Sequence, residues 1–109
     1  MQVIGLDIGT SGVKSTVFDG EANVLGFAYR EYELIGRERG EYELDPSALR
    51  EAAFAVLRES AKDASDVRAI CLTSFGESFV CLDGDDQPLA NAMIYMDKRG
   101  SEEIGRAHV

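Results

Sequence analysis

The first feature that points to chemistry is a glycine-hydroxyl turn near the amino terminus. An apolar segment that contains Asp7 leads into Gly9–Gly12, Gly-Thr-Ser-Gly, which we call the phosphate turn, and Lys14 follows. The hydroxyl and N–H groups of Thr10 and Ser11 can donate to phosphate oxygens, and the two glycines permit positive φ or a close backbone approach. Asp7 is suited to holding Mg²⁺ directly or through water. We therefore predict a phosphate site here, with an ordinary capped hairpin as the alternative.

Two common phosphate-binding motifs are excluded by the residues around this turn. A Walker loop needs glycine immediately before its Lys-Ser pair, whereas Val13 precedes Lys14 here, and the dinucleotide fingerprint lacks its G-x-G. Alternation over residues 13–18 predicts a second strand, where both of those folds begin a helix. Strand, phosphate turn and strand is the arrangement of the actin-like ATPases.

Three further elements are predicted between residues 24 and 73. Alternation over residues 24–32 predicts a third strand, which completes an antiparallel meander. Asp45 can cap a helix that begins at Pro46 and covers one face of the sheet. The apolar stripe of this helix consists of Leu49, Ala53, Val56, Leu57 and Ala64. The run 67–73 predicts a strand that returns parallel to the first by a right-handed crossover.

The remaining segments are short or polar. Residues 33–43 are charged and contain two glycines, so we expect an exposed connection. A short strand is predicted at 79–82, followed by a turn at 84–86 that leads into 89–96. The pattern from Lys98 onward is typical of a helix.

Composition excludes several classes of partner. Eleven basic and twenty acidic residues give a formal net charge of -9, so we expect neither nucleic acid nor a membrane surface as a partner. There is no apolar run of spanning length and no signal-peptide pattern, so we expect a cytoplasmic protein. Cys71 and Cys81 lie in apolar runs, too far apart for a redox pair, and are predicted to be reduced core residues. His108, close to the last residue, is not expected to be catalytic.

Taken together, the motifs resemble a known family. The run from Gly5 to Asp19 is similar to the first phosphate motif of the FGGY carbohydrate kinases, G-[IL]-D-[IL]-G-T-[ST]. Residues 42–46 resemble the family's W-x-E-x-D-P segment, with tyrosine for tryptophan and one residue fewer before Asp-Pro. Residues 69–83 resemble the strand and hairpin that carry sugar-binding residues, and residues 88–100 resemble the P-x-x-x-A-I-x-W-x-D-x-R stretch. The resemblance covers nearly the whole chain.

The resemblance implies a kinase that transfers a phosphoryl group from ATP, with Mg²⁺, to a hydroxyl of a sugar or polyol. It implies an α/β fold of the ribonuclease-H-like (actin-like ATPase) class, here a half-domain with an antiparallel three-stranded meander followed by a helix and a parallel strand. Asp7 would be the metal-associated acid of the catalytic site. The phosphate-binding residues would be Gly9, Thr10, Ser11, Gly12 and Lys14. The alternative for Lys14 is an outward-facing strand lysine.

The same resemblance implies the sugar-binding residues. Glu77 aligns with a position that reaches a substrate hydroxyl, while Asp97 and Arg99 fall on the D and R of the D-x-R pattern. Gly76 stands where relatives often carry methionine or arginine, and Phe75 replaces a frequent glutamine, which leaves the substrate open. Gly76 could enlarge the pocket or relieve a turn. The alternative for residues 97–99 is a helix cap with solvated charges.

The resemblance also places parts of the kinase outside this chain. The family's catalytic base, a second aspartate, and its adenosine-binding segments lie downstream of anything aligned here, so we interpret residues 1–109 as an amino-terminal fragment of the first kinase domain, inactive alone. We expect exposed faces to make the fragment self-associate, and a homodimer is a candidate assembly for the whole enzyme.

Two other functions are alternatives to the kinase. One is a non-catalytic nucleotide- or sugar-binding module that keeps the half-sheet. The other is an ATP hydrolase of the actin or chaperone type, which accounts for residues 7–14 but not for Asp45-Pro46 or for the Asp97-x-Arg99 pattern.

Overall fold

The fold is built around a four-stranded sheet with one helix packed against it. A computed structural model describes residues 1–36 and 38–103. In chain order its elements are β1 (Gln2–Ile8), β2 (Gly12–Asp19), β3 (Val24–Glu31), β4 (Glu43–Leu44), α1 (Pro46–Ser60), β5 (Val67–Ser74) and β6 (Ala92–Met93). The sheet order is β3-β2-β1-β5, while β4 pairs separately with β6.

Strand β1 determines how the sheet is assembled. It pairs antiparallel with β2 on one side and parallel with β5 on the other, and β3 continues the antiparallel order on β2. The predicted meander, helix and returning parallel strand are therefore confirmed. Buried side chains of β1 and β2, Ile4, Leu6, Val13 and Val17, contribute to the core.

Helix α1 begins where the sequence predicts. The Asp45 carboxylate accepts a hydrogen bond from the Ser47 N–H (2.9 Å), and Pro46 occupies the first helical position, where no intrahelical donor is needed. The helix ends at Ser60, so Ala64 of the predicted stripe lies beyond it. The Ala61 N–H donates to the Leu57 carbonyl (3.2 Å) as the chain leaves the helix.

The buried face of α1 consists of small side chains. It is made of Ala52, Ala53, Val56 and Ser60, whereas Leu49 and Leu57 of the predicted stripe are only half-buried. The Ser60 and Ser15 hydroxyls lie 2.7 Å apart in the core, where each satisfies the other. Small residues at the contact let the end of the helix lie close to β2 and β3.

Gly26 is required by this close approach. A Cβ at this position of β3 would lie 2.0 Å from the Ser60 carbonyl oxygen, a separation at which backbone must move. A Cβ on Gly20, in the turn between β2 and β3, would have no atom within 4 Å, so this position carries no such constraint. Of the two, only Gly26 lies under the helix.

Strand β5 lies at one edge of the sheet, and it differs from the other three strands in having no buried residue. All eight of its residues are exposed, including Ile70 and Leu72. The prediction that Cys71 and Cys81 are core residues is wrong, since both thiols are free and exposed. The apolar run of β5 does form the predicted strand, but the described residues supply no layer over its faces.

The region after β5 contains less regular structure than the sequence predicts. Residues 79–82 form no strand, because the only pairing there among the described residues is a single bridge between Leu82 and Pro88 around the expected turn at 84–86. Within residues 89–96 only β6 is a strand, because its partner β4 is two residues long. The helix expected from Lys98 is described as one turn at 101–103, and its continuation and His108 lie outside the described residues.

Replacement of Gly26 by alanine tests the contact between α1 and the sheet. We expect Gly26→Ala to lower the free energy of unfolding by about 1–3 kcal/mol, because the added methyl group overpacks a contact that is already closed. Gly20→Ala is the matched control and should stay within about 0.5 kcal/mol of wild type. Urea unfolding followed by circular dichroism measures both. A Gly26→Ala protein as stable as the control would show that the helix does not approach β3 this closely.

Candidate active site

The candidate site lies where β1 and β5 end side by side. Ile8 is paired with Ser74 at the end of the parallel ladder, and the Phe75 N–H donates to the Ile8 carbonyl (3.1 Å). The phosphate turn and residues 75–77 therefore leave the sheet at the same edge. The carboxyl end of a parallel pair is where α/β sheets usually bind ligands.

Two clefts meet at this edge. The first cleft, about 530 Å³, is lined by Asp7, Ile8, Gly9, Thr10, Ser74, Phe75, Gly76, Glu77 and Tyr95. The second cleft, about 390 Å³, is lined by Glu77, Phe79, Cys81, Ala90, Asn91, Met93, Ile94, Tyr95, Asp97 and Arg99. Glu77 and Tyr95 line both, so the two clefts adjoin. The two adjoining clefts thus bring together Asp7, two of the five residues predicted for phosphate (Gly9 and Thr10) and all four predicted for sugar, whereas Ser11, Gly12 and Lys14 line neither cleft.

The phosphate turn is a tight hairpin whose donors are only partly used. The Gly9 N–H donates to the Gly12 carbonyl (2.9 Å). Within the part of the chain that the structure describes, the N–H groups of Thr10 and Ser11 make no hydrogen bond. These two amides and their hydroxyls are therefore the donors left to an anion.

Of the two alternatives predicted for the glycines of the turn, the structure shows close backbone approach. Neither Gly9 nor Gly12 has a positive φ. A Cβ on Gly12 would lie 2.6 Å from the Arg30 carbonyl and 2.7 Å from the Tyr29 hydroxyl, and one on Gly9 would lie 3.2 Å from the Gly12 carbonyl. Gly12 is required because β3 packs against it. Close approach is thus present, but to the protein's own backbone.

Asp7 and Lys14 face each other across the β1–β2 hairpin. They are register partners, and the Lys14 Nζ lies 4.0 Å from the Asp7 Oδ2, with 54% and 51% of the two side chains exposed. A pair this open contributes little to stability, so both charges remain accessible to a ligand. Lys14 is thus as exposed as expected for an outward-facing strand lysine, and it also lies close to Asp7.

Tyr32 is a residue of the site that sequence reasoning missed. Its hydroxyl hydrogen-bonds the Gly9 carbonyl and lies 3.2 Å from the Gly12 carbonyl, and its N–H donates to the Ser11 carbonyl (3.3 Å). Burial, and secondly the negative charge of Asp7, raise the pKa of Tyr32 to about 12. No sequence signal could have found this contact, because the hydroxyl bonds backbone carbonyls that lie 23 and 20 residues earlier in the chain.

Arg99 lies at the centre of an ion-pair network beside the second cleft. Its Nη2 lies 2.6 Å from the Asp97 Oδ2 and 2.6 Å from the Glu43 Oε2, and its Nη1 lies 3.8 Å from the Glu41 Oε1. The Asn91 side-chain amide donates to the other Glu43 oxygen (3.2 Å). The pairing of β4 with β6 is what brings Glu43 to this place.

Asp97 is the buried member of this network. Its side chain is 3% exposed and accepts from the N–H groups of Tyr42 and Arg99 (both 2.9 Å) as well as from the Arg99 guanidinium. Hydrogen bonding to the Arg99 side chain is the largest cause that holds the pKa of Asp97 far below its ordinary value. The alternative of a helix cap with solvated charges is therefore wrong for Asp97, because its carboxylate is neither solvated nor at the start of the turn at 101–103.

Gly76 and Glu77 show where the backbone is unusual. Glu77 has φ of 62°, a left-handed conformation that is uncommon for a residue with a side chain. Gly76 does not have a positive φ, and a Cβ there would meet nothing within 4 Å. A left-handed turn therefore does not explain Gly76, and the space beside it in the first cleft is open. Backbone strain of the kind seen at Glu77 often marks functional sites.

Comparison with known proteins identifies the family. The chain matches the profile of the FGGY family of carbohydrate kinases, N-terminal domain, over residues 2–107. The chain belongs to the FGGY family. Among relatives of this FGGY chain, a glycerol kinase from Janthinobacterium is 33% identical over 102 residues, which cover 89% of the chain and 20% of that protein. A glycerol kinase from Thermococcus gammatolerans is 30% identical over 106 residues, which cover 94% of the chain and 22% of that protein.

Solved structures show the same fold for the FGGY chain. Xylulose kinase from Rhodospirillum rubrum superposes with a TM-score of 0.90 at 33% identity, covering all of this chain and 24% of that one. Gluconate kinase from Lactobacillus acidophilus gives a TM-score of 0.92 at 24% identity, and the superposition covers 98% of this chain and 22% of that one. The fold is thus α/β and actin-like, as predicted.

Two further findings concern the length of the FGGY chain and its helices. It spans about a fifth of the length of the curated glycerol kinases it matches. In residues 1–36 and 38–103, no helix is both long and apolar enough to cross a membrane.

The Asp97 carboxylate of this FGGY chain should make stability depend on pH. Because its pKa is lower in the folded than in the unfolded chain, its contribution is present above the ordinary value of 3.8 and is lost as the pH falls below it. We expect wild type to lose more stability than Asp97→Asn between about pH 6 and about pH 3. Urea unfolding across this range measures the difference. Asp63→Asn, at an exposed carboxylate after α1, is the matched control variant. If wild type lost no more stability than Asp97→Asn over this range, the buried ion pair would be contradicted.

Proposed function

We propose that the enzyme to which this chain contributes transfers the terminal phosphoryl group of ATP to a hydroxyl of a sugar or polyol. The observation that carries the proposal is the meeting of the two clefts at Glu77 and Tyr95, at the edge where β1 and β5 end. A phosphoryl donor in the first cleft and an acceptor hydroxyl in the second would lie next to each other. Positioning of this kind supplies much of the catalysis of phosphoryl transfer.

The first cleft fits the phosphates of ATP. The free N–H groups of Thr10 and Ser11 would donate to phosphate oxygens, with Gly9 and Gly12 shaping the turn that presents them. Lys14, half-exposed and 4.0 Å from Asp7, would neutralise phosphate charge.

Asp7 fits a role in holding Mg²⁺. Its carboxylate is half-exposed at the first cleft, and among the described residues no group of three or more ligating side chains could hold a metal. Mg²⁺ is commonly held by one or two carboxylates with the substrate phosphates and water, so one aspartate suits it. When bound, the ion would offset the negative charge that develops during transfer.

The second cleft fits a polyhydroxylated acceptor. Glu77 offers an exposed carboxylate that can accept from hydroxyls, and the Arg99 guanidinium, 39% exposed, offers donors. Asp97 is too buried to be a main contact and is proposed to orient Arg99. Gly76 leaves open space that a larger acceptor could occupy.

Residues 1–109 are proposed to be the amino-terminal part of the first kinase domain. The described residues hold carboxylates for the metal and the acceptor, and we propose that the general base that accepts the hydroxyl proton comes from another part of the enzyme. The names of relatives and structural neighbours, glycerol, xylulose and gluconate kinases, suggest the acceptors to test first.

An ADP-release assay tests the proposal. The protein expressed from the complete reading frame that contains this chain should release ADP faster with at least one of glycerol, xylulose or gluconate than without. Asp7→Asn should reduce this rate by about 100-fold or more, because an electrostatic contact to the transferring group is lost. Asp63→Asn is the matched control and should retain activity. Failure of every acceptor, or full activity in Asp7→Asn, would reject the proposal.

The 109-residue chain alone tests the proposal that the general base lies in another part of the enzyme. It should show no acceptor-dependent ADP release, because the general base is proposed to lie elsewhere. The same coupled assay measures it. An acceptor-dependent rate that disappears in Asp7→Asn would place the whole catalytic apparatus in these residues.

We further propose that the 109-residue chain self-associates through β5. Both faces of this edge strand are exposed, with Ile70 54% and Leu72 64% accessible, and unpaired strand edges favour association. Light scattering at increasing concentration should show species larger than 11.9 kDa. Leu72→Lys should shift the chain towards the monomer, whereas Val24→Lys, also apolar and exposed but on β3, should not. A monomer at all concentrations would contradict this.

A further inference from the structure

A turn that binds phosphate must keep its carbonyl oxygens away from the anion. In the phosphate turn, three of the four carbonyls are occupied: those of Gly9, Ser11 and Gly12. All three are bonded by Tyr32, the first and third by its hydroxyl and the second by its N–H, and the Gly12 carbonyl also accepts from the Gly9 N–H. The N–H groups of Thr10 and Ser11 stay free, while these three carbonyl oxygens accept hydrogen bonds from within the protein.

Tyr32 is well placed to hold the turn in this shape. It directly follows β3, and its half-buried side chain packs against the core cluster formed by Leu6, Val13, Ala28, Ala52, Ala53 and Val56. The side chain therefore connects the turn to the packing between the sheet and α1. Without this side chain, the turn would be joined to β3 only through backbone contacts, namely the bond from the Tyr32 N–H to the Ser11 carbonyl and the pairing of Gly12 with Glu31.

We propose that Tyr32 is a positioning residue, which fixes the phosphate turn so that the Thr10 and Ser11 N–H groups face a bound phosphate. This inference rests on the proposed function of the turn. Tyr32 does not touch the phosphate in this arrangement. Its single hydroxyl hydrogen is shared between the Gly9 and Gly12 carbonyls, and its backbone N–H secures the carbonyl between them.

The environment of Tyr32 keeps its hydroxyl in the state that the role requires. A tyrosine hydroxyl is a donor at neutral pH even at its ordinary pKa of 10.0, and burial and the nearby Asp7 raise the pKa of Tyr32 further, to about 12. A phenolate would face two carbonyl oxygens and the Asp7 carboxylate, all of which carry full or partial negative charge.

The matched variants are Tyr32→Phe and Tyr29→Phe. Tyr32→Phe removes the hydroxyl but keeps the ring in the core. Tyr29 is also a tyrosine near Gly12, yet among the described residues its hydroxyl makes no hydrogen bond, so Tyr29→Phe controls for loss of a nearby hydroxyl. Circular dichroism and strand amide exchange establish that each variant is folded.

Two NMR measurements on the 109-residue chain separate the inference from the proposed function. The first is hydrogen exchange of the Gly9 and Tyr32 amides, which should become about 2- to 10-fold faster in Tyr32→Phe and stay unchanged in Tyr29→Phe. The second is titration with Mg²⁺ and tripolyphosphate, followed by the shifts of the Thr10 and Ser11 amides. The apparent affinity should fall by a similar factor in Tyr32→Phe alone.

Each outcome supports or overturns the inference. Faster exchange with weaker tripolyphosphate binding supports it. Unchanged exchange shows that Tyr32 does not hold the turn, and faster exchange with unchanged binding shows that the turn is held for another reason; both overturn it. If wild type does not respond to tripolyphosphate while Tyr32→Phe exchanges faster, the proposed phosphate role of the turn fails, and the inferred role of Tyr32 fails with it, although the contact itself is confirmed.

Discussion

The parallel pairing of β1 with β5 is the constraint on which the site depends. Parallel strands must be joined by a crossover, and here α1 provides it and lies against β2 and β3. Because the two strands run in the same direction and in register, the phosphate turn and residues 75–77 reach the same edge. The close approach permitted by Gly26, with the serine pair beneath the helix, is a condition for this arrangement.

A second, smaller pairing controls the other half of the site. Strands β4 and β6 are two residues each, and residues that flank them add bonds, such as the Ile94 N–H to the Tyr42 carbonyl (3.1 Å) and the Lys98 N–H to the Gly40 carbonyl (2.8 Å). These contacts join segments about fifty residues or more apart in the chain and deliver Glu43 to Arg99. The connection at 33–43 is thus more than the exposed loop that its charge predicts, since its last residue, Glu43, contacts Arg99 beside the second cleft.

Sequence is most informative where a pattern and its structure are local. Alternation identifies β1 to β3, and the Asp45-Pro46 pair identifies the start of α1. Tyr32 is not predictable, because a hydroxyl that bonds distant backbone carbonyls leaves no spacing to recognise. The core position predicted for Cys71 is wrong because an apolar run does not reveal whether its strand has a layer on each face. The glycines of the phosphate turn indicate a close backbone approach, but the sequence does not reveal that the segment approaching Gly12 is β3.

The charged groups of the site divide according to burial, and this division follows from the cost of desolvation. The charges that we propose to contact a ligand, Asp7, Lys14 and Arg99, keep between about two-fifths and just over half of their side chains exposed. Asp97 is buried, and this is sustainable because two N–H groups and a guanidinium bond its carboxylate. A buried charge with all its partners in the protein cannot rearrange when a ligand arrives, whereas an exposed one can. Asp97 and Tyr32 therefore have the properties of supporting residues, and the exposed charges have those of ligand contacts.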